Sequence, residues 1–376
     1  MLHPIKLAVF AVLLALPAAA QTPSTIDAQT RRIMAATGAN GLAVAFIDRG
    51  RVTHVAAFGK RNASGERLQT DTVMHGAALT KTVFAWLMVR LVDEGKIDLD
   101  RPLASYLPRP LPEYPAYAAL AGDARWQAIT ARHALTHSTG FANFFFLEPD
   151  KKARIHFAPG SRYAYSGEGL HLLQFVLEEG LKLDMDALAS TEFARLGMTR
   201  TSVKWCADFS GNVADGWNDR GEAQPHEQRA RARMAGSMDT TIADMAKFAA
   251  ARVTGNGLSP AAAAELARPQ LGITTWRQFP TLQPELPPDT QDDDLSAALG
   301  VVTFRGREGP GFYKSGHDAQ TASTLVCLKS LQRCVVLLSN DVRAEAGFAD
   351  LVIAILGQTG VPYAWEYGRR AGKSEP

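Results

Sequence analysis

The sequence predicts an α+β fold: one antiparallel sheet built from N- and C-terminal segments, flanked by helices, with a mainly α-helical domain inserted. Three observations carry this expectation. Strand-like apolar runs cluster at the two ends of the chain, at residues 42–47 and 52–58 and again at 298–304, 311–315, 322–328 and 334–339. Helical patterns and proline-rich connections fill the stretch between them. Near the start of that stretch, residues 77–94 contain no Gly or Pro and are apolar around almost the whole circumference, the pattern of a buried central helix. The division that follows is residues 21–76 with 296–366 for the sheet domain, 77–295 for the helical domain and 367–376 for a C-terminal tail. A ligand cleft belongs between the two domains.

Taken in order, residues 25–37 are helical in pattern, with Ile26, Ile33 and Met34 on one side, and end at Gly38-Ala39-Asn40-Gly41. The runs 42–47 and 52–58 bracket Asp48-Arg49-Gly50-Arg51, a hairpin signal. Gly95 is placed to stop the central helix. Residues 129–137 read as a short helix capped by Thr130 and closed by Ser138-Thr139-Gly140. Residues 166–179 are helical again. Thr240 or Thr241 caps a later helix, and Pro260 sits in the first turn of another over 259–267. Residues 269–294, rich in proline and polar side chains, read as a long irregular excursion, and 342–356 as a closing helix.

Residues 1–20 have the form of a cleaved signal peptide: Lys6, an apolar core over 7–16, and Ala18-Ala19-Ala20 before Gln21. The core is too short for a stable membrane span, so the expected location is secreted by the Sec route and periplasmic. Cleavage would leave 376 − 20 = 356 residues, enough for a large core. The 40 basic and 38 acidic residues are evenly spread, with a formal charge of +2, which gives no electrostatic footprint for nucleic acid. Asp292-Asp293-Asp294 lacks spaced ligands and reads as a solvated loop. Cys327 and Cys334 flank a turn where either a hairpin disulfide or two buried thiols fits, while Cys206 stays free. No metal site is expected, because His133 and His137, four apart, lack a third ligand and read as structural.

The chemistry concentrates at Lys81. A lysine inside an apolar helix is costly unless it is paired, neutralised or used. Ala78 stands three residues earlier, where a hydroxyl would complete the Ser-x-x-Lys arrangement of acyl-transfer enzymes. Thr80 cannot deputise, because two residues along a helix points it to another face. Three further segments accompany the pair: Thr130 to Gly140, Tyr163-Ala164-Tyr165-Ser166-Gly167-Glu168-Gly169 ahead of a helix, and Lys314-Ser315-Gly316-His317 on a strand. No Gly-x-Ser-x-Gly elbow occurs, which sets aside an α/β-hydrolase.

With these segments the chain resembles the class C β-lactamase and penicillin-binding-protein-like serine hydrolases, a family that also includes esterases, D-amino-acid peptidases and carboxypeptidases. Four motifs carry the resemblance in family order and spacing: Met74 to Lys81, Thr130 to Gly140, Pro159 to Gly167, and Lys314-Ser315-Gly316. The resemblance implies a β-lactamase/transpeptidase-like fold and acyl transfer on an ester, amide or D-amino-acid peptide. It places the nucleophile at position 78, where this chain has Ala78, with Lys81 as its activating base. Tyr165 would shuttle protons, which requires a phenol pKa lowered by Lys81 and Lys314, and Lys314 would also attract a substrate carboxylate. Backbone N–H groups of Ala78 and His317 would form the oxyanion hole; Ser166, Gly167, Ser315 and Gly316 would line the substrate site. Gly167 stands where many members have Asn, which counts against an efficient β-lactamase. No cofactor is implied; the expected partner is a small-molecule or peptide ligand, and the expected state a monomer.

Ala78 leaves two readings open. The chain is a serine hydrolase scaffold inactive as written, or a pseudoenzyme that binds peptidoglycan fragments or other acyl compounds without turning them over. Its origin is equally open between a deliberate change and a natural one.

Overall fold

The computed structural model describes residues 19–368. The expected leader, 1–20, lies outside them except for its last two residues, as does the tail beyond 368. Chain order is α1 (Pro23–Thr37), β1 (Gly41–Asp48), β2 (Arg51–Gly59), β3 (Met74–His75), α2 (Thr80–Asp93), α3 (Ala131–Leu135), α4 (Gly167–Glu179) and α5 (Met185–Arg195). There follow β4 (Gly216–Trp217), β5 (Ala223–Gln224), β6 (Asp239–Thr240), α6 (Ile242–Thr254) and α7 (Pro260–Ala267). The last part is β7 (Leu271–Gly272), β8 (Ser296–Ala298), β9 (Val301–Gly306), β10 (Gly309–His317), β11 (Ala322–Leu328), β12 (Arg333–Ser339), α8 (Phe348–Leu356) and α9 (Tyr363–Tyr367).

One eight-stranded antiparallel sheet runs in the order β2-β1-β12-β11-β10-β9-β8-β7. It is indeed assembled from both chain ends: β1 pairs with β12 through the register Ala43↔Leu338 to Ile47↔Cys334. Strands β1, β11 and β12 are buried on both faces, which explains their near-continuous apolar runs. One face packs against α6 and α2, contributing Phe312, Leu325 and Val336; the other packs beneath α1 and α8, contributing Val326, Val335 and Leu337. Leu271–Gly272 pairs with β8 and adds an edge strand to the sheet, so the excursion read as irregular is partly ordered.

The central helix is buried on every side except at Arg90, Val92 and Asp93. Trp86 is fully enclosed and donates from Nε1 to Glu192 of α5 at 2.7 Å. That satisfies the one polar atom a buried indole brings with it. The helix begins later than its sequence pattern suggests: residues 77–79 form a single 3₁₀ turn before α2 proper. Cys327 and Cys334 face each other across the β11–β12 pair, and their sulfurs are bonded. Cys206 is free.

Candidate active site

The site is built around the turn that opens α2. Ala77 adopts φ 46°, a left-handed conformation that costs a non-glycine residue on the order of 1 kcal/mol. The turn is fixed by its neighbours. Gly76 donates to Met238 O at 2.8 Å, and the Thr80 hydroxyl donates to Ala77 O at 2.6 Å while accepting from Met238 N at 3.1 Å. Thr80 is therefore fully occupied and directed away from the cleft side of Ala78. In the turn from Gly76 to Thr80, Ala78 is the residue solvent reaches.

Lys81 is buried, with Nζ donating to Ala235 O and lying 4.9 Å from the centre of the Tyr165 ring. Lys314 approaches the same ring at 5.2 Å and also donates to Ser315 O. Burial first, and the Lys314 charge second, hold the Lys81 amine well below its ordinary range. Burial brings Lys314 down to about 8, with Glu366 opposing the shift. Both causes favour the neutral form of the Lys81 amine, one helical turn from Ala78. The phenol expectation is corrected: burial, reinforced by Glu366, pushes Tyr165 up rather than down. The amines approach its ring face, and their charge does not offset desolvation of the phenolate.

Strand β10 brings its end against the turn. It pairs with β9 only as far as Tyr313↔Val302, so on that side Lys314 to His317 form an unpaired edge beside α2. Contact there is close enough that a Cβ on Gly316 would lie 2.8 Å from Ala78 N. Only glycine lets the strand approach this far. The backbone N–H groups of Ala78 and the strand end therefore share one small region.

The other expected site residues divide. The Ser166 side chain does not face the cleft: it is fully buried, caps α4 by accepting from Gly169 N at 3.0 Å, and donates to Ala142 O at 2.8 Å. The tight turn before α4 spends the hydroxyl on capping. Gly167 donates to Asn143 Oδ1 at 2.9 Å, and a Cβ there would meet the Phe144 ring at 2.9 Å. The space of the missing side chain is filled by an aromatic ring. Ser315 Oγ lies 3.0 Å from the Tyr367 hydroxyl and 3.3 Å from that of Thr324. His317 is half-exposed and pairs with Glu345 at 3.0 Å, which raises its pKa.

Several participants were not legible in the sequence. His137 stacks on Tyr165 at 4.3 Å and accepts from Ser166 N at 3.1 Å; burial holds it well below its ordinary range, so it sits neutral. Glu366 of α9 is enclosed with Lys314 and Tyr165 and accepts from the Tyr313 hydroxyl at 2.9 Å. Burial raises its pKa. Phe279, from the 269–294 excursion, packs on Tyr165 at 5.1 Å and reaches His317 at 6.4 Å. Behind the turn, His75 lies 3.7 Å from Asp239 and 3.6 Å from Asp318. Among the described residues no group of three or more His, Cys, Asp or Glu is arranged to hold a metal ion. Nor is any described helix long and apolar enough to cross a membrane.

Comparison with known proteins adds three findings. The model of the Beta-lactamase family matches residues 26–358. Among curated proteins, the D-alanyl-D-alanine-carboxypeptidase/endopeptidase AmpH of Escherichia coli K12 is 28% identical over 196 residues, 47% of this chain and 49% of that protein. Esterase EstB of Burkholderia gladioli is 30% identical over 121 residues, 32% of this chain and 26% of that protein. The chain thus spans about half the length of the first in that match and about a quarter of the second. Among solved structures, D-alanine carboxypeptidase AmpC from Burkholderia cenocepacia superposes with TM-score 0.70 at 18% identity, covering 89% of this chain and 98% of that one. A class C β-lactamase does so with TM-score 0.70 at 17% identity, covering 89% and 95%.

Proposed function

Because the chain belongs to the Beta-lactamase family, we propose that its cleft is an acyl-transfer site of the serine-hydrolase type in which every working group but the nucleophile is in place. The observation that carries this reading is the buried Lys81 amine one helical turn from Ala78, its Nζ 4.9 Å from the Tyr165 ring that Lys314 also approaches, with burial and the Lys314 charge both favouring its neutral form. With a hydroxyl at position 78, that amine would take the proton as the oxygen attacks the substrate carbonyl. The backbone N–H groups of residues 78 and 317 would receive the developing oxyanion. Tyr165, kept protonated by burial, suits hydrogen bonding to the leaving group, and being protonated it is not available as the base. The acyl group would then pass to water and regenerate the hydroxyl. Export through the leader at residues 1–20 belongs to the same reading.

As written, the Ala78 methyl has no proton to give and no lone pair to attack with. Loss of an activated serine costs on the order of a million-fold in turnover in comparable hydrolases. Ala78 therefore also supports a second reading, a binder of acyl compounds or peptidoglycan fragments that uses the same cleft without chemistry. Restoring the hydroxyl separates the two. The Ala78→Ser form and the unmodified protein are assayed with nitrocefin, short p-nitrophenyl esters and D-alanyl peptides. Turnover by the Ala78→Ser form alone supports the hydrolase scaffold. Equal turnover by both would refute position 78 as the nucleophile, and binding of muropeptides without turnover by either favours the binder.

A further inference from the structure

The polar groups at the end of β10 that would otherwise hold a ligand carboxylate are already taken by the chain itself. Lys314 shares its enclosure with Glu366. Ser315 Oγ is within hydrogen-bond distance of the Tyr367 hydroxyl. His317, the next cation along the strand, pairs with Glu345. Beyond it, Arg229 lies 3.7 Å from Asp318 and 3.9 Å from Asp239. A ligand carboxylate delivered here would meet Glu366 and Glu345 together with the cations they compensate, and beside Lys314 and Glu366 it would do so in an enclosed pocket. Burying an uncompensated anion is far costlier than burying an ester of the same shape. The neighbouring surface is apolar where Phe279 covers Tyr165 and reaches His317.

From this we infer that Glu366 and Tyr367 are specificity-determining residues that restrict the cleft to neutral, apolar acyl compounds, esters above all, and exclude ligands that present a carboxylate to β10. The inference deepens the acyl-transfer reading and rests on it for the location of the cleft. The five-residue helix α9 acts as a built-in occupant of the anion position: Glu366 supplies the counter-charge and Tyr367 the hydroxyl partner.

The test uses a matched pair, an arylacetylglycyl depsipeptide with a free terminal carboxylate and its methyl ester. With the Ala78→Ser protein, kcat/KM should favour the methyl ester by about tenfold or more. Adding Glu366→Gln, which keeps an acceptor for Tyr313, should narrow that preference at least about fivefold through a lower KM for the free acid. Tyr367→Phe frees the Ser315 hydroxyl and should act in the same direction. Preference for the free acid, or a preference untouched by Glu366→Gln, overturns the inference. If the Ala78→Ser protein turns over neither compound, the acyl-transfer reading has failed, and calorimetry on the unmodified protein decides the specificity by itself. Tighter binding of the methyl ester than of the acid then supports the inference; the reverse order, or binding of neither, overturns it.

Discussion

Replacing Gly316 with alanine tests the contact on which the site geometry depends. The added methyl would lie 2.8 Å from Ala78 N, 2.9 Å from Ser323 Oγ and 3.2 Å from Leu79 N. Two of these are main-chain atoms of the turn opening α2. Reaching an ordinary contact of 3.4 Å requires about 3.4 − 2.8 = 0.6 Å of movement. Neither side yields easily: β10 is paired with β11 from Gly311 to His317, and the turn is tied to Met238 through Gly76 and Thr80. Overpacking of this kind costs about 1–3 kcal/mol. A 1 Å error in a catalytic arrangement can cost on the order of a hundredfold, so a shift of this size should lower turnover of the Ala78→Ser form about tenfold. Gly122→Ala is the control, since nothing lies within 4 Å of a carbon added there, and it should stay within about 0.5 kcal/mol of the parent. Urea unfolding followed by tryptophan fluorescence gives the stability, and p-nitrophenyl ester hydrolysis the turnover. If Gly316→Ala matches Gly122→Ala in both, the strand and the turn are not packed as described.

Ser166→Ala should destabilise the fold by about 1 kcal/mol, because it removes the cap of α4, yet leave KM for esters unchanged in the Ala78→Ser form. A raised KM would return Ser166 to the ligand site. Burial holds Lys314 at about 8 against an ordinary 10.5, so between those values the unfolded chain binds more protons than the folded one and stability rises with pH. Below about pH 8 the full penalty stands, on the order of 3 kcal/mol at ~1.4 kcal/mol per pH unit. Lys81 adds to the rise in the same direction. Lys314→Met should flatten the rise in unfolding free energy from pH 8 to 10.5; an identical rise in both proteins would show that Lys314 is not buried as a cation.

Local signals in the sequence suffice where local physics decides. Thr130 and Thr241, the latter one of two candidates, cap the helices they precede, because a short hydroxyl side chain satisfies an exposed N–H wherever a helix begins. The buried central helix and its lysine follow from an apolar circumference interrupted once. Features fixed by distant partners were not legible. Tyr363 to Tyr367 is too short to show a helical period, so nothing local marks Glu366 as the carboxylate beside Lys314. The α5 helix was missed for a related reason: it is weakly amphipathic and is held through Glu192, which Trp86 and Arg90 approach from across the domain. Ser166 has the composition of a motif residue, and only the fold shows that its hydroxyl is spent on Gly169 and Ala142. Tyr165 illustrates the limit for electrostatics. Two nearby lysines suggest a lowered phenol pKa, but enclosure and Glu366 decide the opposite sign.

Position 78 is where covalent chemistry would occur, with Lys81 as the base that drives it. The direct measurement is intact-protein and peptide mass spectrometry after exposure to a fluorophosphonate, comparing the unmodified protein, the Ala78→Ser form and the Ala78→Ser/Lys81→Met form. One adduct per chain is expected, on residue 78, in the Ala78→Ser form alone. An adduct elsewhere in the cleft of the unmodified protein, or undiminished labelling of residue 78 without the Lys81 amine, would contradict that expectation.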